Sequence, residues 1–294
     1  MRLFRWLMLL TVAVGGSAMA ADKVRVSTFS TILTEIAEQV GGELAEVTGH
    51  VKPGIDPHDF EPRPGDLKIV ANSQLVLLSA KHMEAYVGKL REATGTGAVI
   101  LEVGDRLPSL ALTVQHGDHT HKGDDPHWWH SIRNIARAVK LVRDELSRLS
   151  PENKAVFKGN AAIYLGKLEK LQSWVDAEVA RLPRNQRKLV TNHDSFGYFA
   201  REFGFTVIAI AGVSKDDQPG SKRVAALIAE IKSSGVKAIF SEDVANPKVI
   251  REITRETGVK FGGMLLSDGL GLGGKGTIEG MFRHNVSTIV EALK

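Results

Sequence analysis

The chain of 294 residues contains no cysteine. That removes disulfides, thiolate metal ligands and a lipid-modified cysteine, and leaves only nitrogen and oxygen donors for any bound ion. No stretch approaches the roughly 20 apolar residues that a membrane-spanning helix needs. The longest, Leu7–Val14, is cut short by Gly15, Gly16 and Ser17. There is no H-E-x-x-H, no G-x-S-x-G and no phosphate-binding loop: the glycines of 269–276 lack the accompanying lysine and serine. An excess of charge is missing too. The net +4 includes Arg2 and Arg5; without them 36 basic residues face 34 acidic ones, which gives no reason to expect nucleic acid.

The positive start, the apolar Leu7–Val14 and the A-x-A of Ala18-Met19-Ala20 read as a secretory signal cleaved after Ala20. With no cysteine to carry lipid, the expected location is the periplasm. The mature chain, 21–294, is long enough for two domains of ordinary size. It alternates short apolar strands with amphipathic helices, the pattern of parallel sheets flanked by helices. The strand–helix pattern runs from Val24 to Leu101, lapses, and resumes at Lys188. Between the two runs, helical spacing extends over 132–149 and again from Ser150 to about Leu182, where Ser150 and Pro151 supply a start signal. The expected fold is α/β: an N-terminal lobe over 21–149, a rigid linking helix over 150–182 and a C-terminal lobe over 183–294.

Half of the ten histidines fall between His116 and His130: His116, His119, His121, His127 and His130. Up to Asp124 this segment is small, polar and glycine-containing, as suits a mobile loop. From Pro126 to Trp129 it becomes stiff and bulky, as suits a histidine held in place. Other metal-capable side chains follow strands: His58 between Pro57 and Pro62, His193 after Lys188–Thr191, and Asp268 after Lys260–Leu266. Ligands of open parallel sheets collect beyond the carboxyl ends of strands, so two candidates from each half can converge between the lobes. Three imidazoles and a carboxylate suit tetrahedral zinc and leave no open position for catalysis. His130 is a weaker candidate, since two tryptophans separate it from His127.

D-P-H-D-F-E-P at 56–62, M-E-A-Y at 83–86, D-P-H-W-W at 125–129 and N-H-D-S-F-G-Y-F at 192–199 occur together. So do G-V-S at 212–214, I-F-S-E at 239–242 and the turn at 267–269. In these motifs the chain resembles the metal-binding proteins of bacterial ABC importers for zinc and manganese (cluster A-I, the zinc-importer binding-protein family). The resemblance implies two α/β lobes joined by one long helix, with His58, His127, His193 and Asp268 as metal ligands. It implies a carrier rather than an enzyme, acting as a monomer with an inner-membrane ABC permease and a periplasmic zinc chaperone as partners. Histidine at 193, where manganese-selective relatives usually have glutamate, favours Zn2+ over Mn2+. Glu61 and Glu242 are candidates to orient the imidazoles, and His116, His119 and His121 to capture metal transiently. The chain departs from the family at Ser79-Ala80-Lys81, where many members have a glycine-containing turn. Alternatives are a manganese or iron carrier, a periplasmic zinc buffer or adhesin, and, from another class, a zinc hydrolase with a base such as Glu61.

Overall fold

The computed structural model describes residues 22–95, 97–116, 119–212, 220–243 and 248–294. The expected signal segment, Val213 and Ser214 lie outside them. Two four-stranded parallel sheets dominate. The first contains β1 (Val24–Thr28), β2 (Ala45–Gly49), β3 (Leu75–Leu78) and β4 (Val99–Glu102) in the order β2-β1-β3-β4. Its middle strands are built for burial on both faces: all four residues of β3 are buried, and Val26 lies between Val47 and Leu75. Helices α1 (Thr31–Gly41), α2 (Pro64–Ala71) and α3 (Val87–Thr94) connect the strands.

A hairpin of β5 (Ala111–His116) and β6 (His119–Asp124) follows, then α4 (Ile132–Leu149) and α5 (Lys154–Ala180). Sequence alone suggested an irregular loop over 116–124, but the described backbone pairs antiparallel from Ala111 opposite Asp124 to His116 opposite His119. The reason is register: the apolar-polar alternation of 111–115 supplies a partner strand for the polar half. Ser131 caps α4, its hydroxyl accepting from Asn134 N at 3.2 Å. The second long helix is shorter than expected, because Pro151–Asn153 forms a separate 3-10 turn before it. Its 27 residues still span about 40 Å. Phe157, Ala161, Tyr164, Leu168, Leu171, Val175 and Val179 form one buried stripe along it.

The second sheet contains β7 (Lys188–Thr191), β8 (Thr206–Ala209), β9 (Ala238–Glu242) and β10 (Lys260–Leu265) in the order β10-β9-β7-β8. It is flanked by α6 (Gly197–Phe203), α7 (Ser221–Ser234), α8 (Lys248–Thr257) and α9 (Ile278–Leu293). Numbered from its own first strand, each sheet has the order 2-1-3-4. One core runs through the molecule: Ile36 and Val139 from the N-terminal half, Leu171 and Val175 from α5, and Phe240 and Ile289 from the C-terminal half belong to a single buried cluster.

The spacing of apolar residues predicts a helix over 83–93, but α3 begins only at Val87. Ala80, Lys81 and His82 all have positive φ (64°, 54° and 66°) and form a left-handed turn. Such conformations cost side-chain-bearing residues energy and persist only where tertiary contacts impose them. Here Glu84 accepts from Ser79 N and Ala80 N at 2.6 and 2.9 Å, and Asp105 from Lys81 N at 3.1 Å. Burial pushes the Glu84 carboxyl up to about 7.

Candidate metal centre

Four strand-end segments meet between the lobes. His58 stands on the proline-rich loop after β2, and His127 follows the hairpin. His193 lies two residues beyond β7, and Asp268 three residues beyond β10. One donor atom from each falls within 4.8 Å of all the others. The His127 Nε2 atom is 3.4 Å from Nε2 of both His58 and His193. The Asp268 Oδ1 atom is 3.6 Å from His58 Nε2 and 3.5 Å from those of His127 and His193. A tetrahedron of bonds near 2.0–2.1 Å has edges of about 3.3–3.4 Å, and these five spacings, at 3.4–3.6 Å, lie close to that.

The electrostatics fit a cation. Asp268 Oδ1 is buried without a hydrogen-bond partner, an arrangement that is costly unless a positive charge faces it. Burial alone would raise the Asp268 carboxyl, but the charge on His193 and the imidazoles of His127 and His193, each 3.5 Å from Oδ1, outweigh it and hold it well below the carboxylate range. Burial would lower the imidazoles. For His127 the Asp125 and Asp268 carboxylates reverse this and bring it to about 8. For His193 the negative charges of Glu242 and Asp268 do the same and raise it well above its ordinary value.

Nδ1 of His127 donates to Asp125 Oδ1 at 2.9 Å, and Nδ1 of His193 donates to Glu242. Each contact points Nε2 at the common centre and raises its basicity. Glu242 also accepts from Asn192 N at 3.0 Å, so one carboxylate fixes both the backbone and the ring of the His193 segment. Asp125 is a participant that sequence reasoning missed, although its place two residues before His127 is within reach of the ring. Its pocket explains Gly197: a Cβ there would lie 2.7 Å from Asp125 Oδ2. Tyr198 bridges the lobes at the same point, donating to Asp125 O at 3.1 Å and accepting from Leu110 N at 3.1 Å.

Glu61, the other expected orienting carboxylate, is turned away. Its side chain is 77% exposed and pairs with Lys89 at 3.2 Å. Phe60 packs against the apolar cluster of Phe29 and Tyr86, which sends its neighbour out. His130 is buried yet does not join the centre; its ring contacts Ser267 O instead. His116, His119 and His121 lie on the hairpin strands, and their side chains fall outside the described residues.

Comparison with known proteins gives one consistent result. The sequence model described as zinc-uptake complex component A, periplasmic, matches residues 26–292. A manganese-binding lipoprotein, MntA of Bacillus subtilis, is 34% identical over 282 residues, covering 94% of this chain and 91% of its own. The zinc-binding protein TroA of Treponema pallidum is 31% identical over 292 residues, covering 96% and 93%. The solved structure of the periplasmic zinc-binding TroA superposes with a TM-score of 0.84 at 29% identity, covering 92% of this chain and 99% of that one.

Proposed function

The chain belongs to the family of periplasmic zinc-uptake complex component A, and from that premise we propose that it captures Zn2+ and delivers it to an ABC-type import permease. His58, His127, His193 and Asp268 hold the ion, and Asp125 and Glu242 orient two of the imidazoles. The observation that carries this reading is the convergence of three imidazoles and one buried carboxylate oxygen without a hydrogen-bond partner, their donor atoms all within 4.8 Å of one another. Zinc accepts that geometry readily, whereas manganese favours more oxygen ligands.

The protein acts as a carrier and not an enzyme. Four protein donors converge on the centre, and the carboxylate that a hydrolytic route would have used, Glu61, faces solvent. The chain works in the periplasm as a monomer after removal of residues 1–20, with lobes 21–149 and 183–294 on either side of the linking segment 150–182. It receives zinc in part from a periplasmic chaperone, and the histidines of the hairpin raise the local metal concentration beside the cleft. A second reading, manganese carriage, is favoured by the likeness to a manganese-binding lipoprotein.

Competitive titration of the metal-free chain 21–294 against a calibrated chelator separates the two. Zinc carriage requires one tight zinc site and weaker manganese binding; the reverse order would transfer the assignment to manganese.

A further inference from the structure

Asp268 belongs to the C-terminal lobe, yet its immediate neighbour is held by the N-terminal one. Ser267 O accepts two buried hydrogen bonds, from Trp129 Nε1 and His130 Nε2, each 2.8 Å long. A carbonyl can only accept, so the His130 proton sits on Nε2; burial also pushes this ring down to about 4, which keeps it neutral. The Ser267 hydroxyl donates to Asp268 Oδ2 at 2.6 Å, leaving Oδ1 as the oxygen that faces the three histidines. Two residues further on, Leu270 N donates to Thr31 Oγ1 at 2.8 Å, and a Cβ on the intervening Gly269 would lie 2.6 Å from that same oxygen. The loop is therefore fastened from the opposite lobe on both sides of the carboxylate.

We propose that Trp129 and His130 form an interlobe latch that restricts Asp268 to a single donor oxygen and thereby sets the preference for a four-coordinate ion. The two are positioning residues: their hydrogen bonds reach the centre through Ser267, and Trp129 also packs edge-on against the His127 ring, a contact that phenylalanine keeps. With Ser267 held, Oδ2 stays engaged by its hydroxyl and the carboxylate cannot turn to offer both oxygens. Four donors then meet a tetrahedral ion in full, whereas an ion that favours six oxygen-rich positions gains nothing from the fixed geometry. Segment 125–130 thus supplies one ligand, the carboxylate that orients it, and the restraint on a second ligand across the interface. The inference rests on the zinc-carrier reading above.

The test compares wild-type chain 21–294 with His130→Leu, His130→Gln and Trp129→Phe, each titrated with Zn2+ and with Mn2+. Leucine removes the donor, glutamine keeps an amide N–H near the position of Nε2, and phenylalanine keeps most of the ring but loses the indole N–H. His130→Leu and Trp129→Phe are expected to weaken zinc about three- to tenfold each, the worth of one buried hydrogen bond. Manganese binding should stay unchanged or tighten, and His130→Gln should bind zinc nearly as wild type does. The Co2+-loaded variants should lose visible absorption intensity as coordination number rises. If both variants keep the wild-type zinc-to-manganese ratio, or if glutamine is as poor as leucine, the latch is wrong. Should circular dichroism find His130→Leu unfolded, Trp129→Phe decides: a lowered ratio supports the latch and an unchanged one overturns it. A wild-type chain with no tight zinc site would instead remove the carrier reading, and the latch with it.

Discussion

The two lobes share a strand order but hold their histidines differently. In the C-terminal lobe His193 follows β7 almost at once, and Glu242 at the end of the neighbouring β9 fixes its ring and the preceding backbone. In the N-terminal lobe His58 stands nine residues past β2 on a loop with little regular structure, and its side chain keeps 15% of its exposure where that of His193 keeps 1%. A topology fixes where ligands gather; the distance from the strand and the carboxylate behind the ring decide how firmly each is held. This casts His193 as a preset half of the site and His58 as the half that can close over the ion.

Substitution of the two ligands should reveal that asymmetry most strongly. His193→Ala is expected to weaken zinc by more than the ~100-fold that can follow loss of an orienting partner, and His58→Ala by clearly less, both read by chelator competition. Equal losses would erase the distinction between a preset and a closing half. Glu242→Gln should come next, at roughly 10–100-fold, with Asp125→Asn at the lower end because it bears on a buried ring already packed against Trp129. An Asp125→Asn effect exceeding that of Glu242→Gln would move the rigid half of the centre to the N-terminal lobe.

The titration of the buried rings gives a subtler contrast. His127, raised to about 8 from an ordinary 6.5, contributes stability to the metal-free protein that is full below pH 6.5 and lost as the pH rises through 8. His193 acts in the same direction. Zinc needs the neutral imidazoles, so its stabilising contribution grows over the same interval. Thermal unfolding between pH 6 and 9 should therefore find the Tm of the metal-free chain falling while the increment added by zinc rises. A zinc increment that shrinks toward alkaline pH would contradict this. The smallest expected effect is that of Glu61→Ala, which should leave zinc affinity at the wild-type value in the same competition assay; a measurable loss would place that residue back at the centre.

Much of this was legible in the sequence because it is local. The buried run Leu75–Leu78 and the helical stripe of 132–146 each declare themselves within a few residues. His58, His193 and Asp268 could be singled out as candidates by their places after strands, and His127 by the stiffening of the chain from Pro126 to Trp129. What could not be read depends on distant partners. The left-handed turn at 80–82 exists because Glu84 and Asp105 gather its amides. Asp125 and Glu61 look alike as carboxylates beside D-P-H motifs, and only the direction in which Phe60 is buried sends one of them outward. The pairing of His130 with Ser267, 137 residues away, leaves no local trace.

Because α5 lays one apolar stripe against the core shared by both halves, the lobes are not exchangeable modules. A fragment cut on either side of Lys154–Ala180 would carry a raw face where Leu171 and Val175 had been covered. Recombining lobes between relatives would have to move the helix and both of its seats together. Descent with modification in such a chain is therefore expected to proceed through loops and single side chains at the cleft, while the spine through the middle changes as one piece.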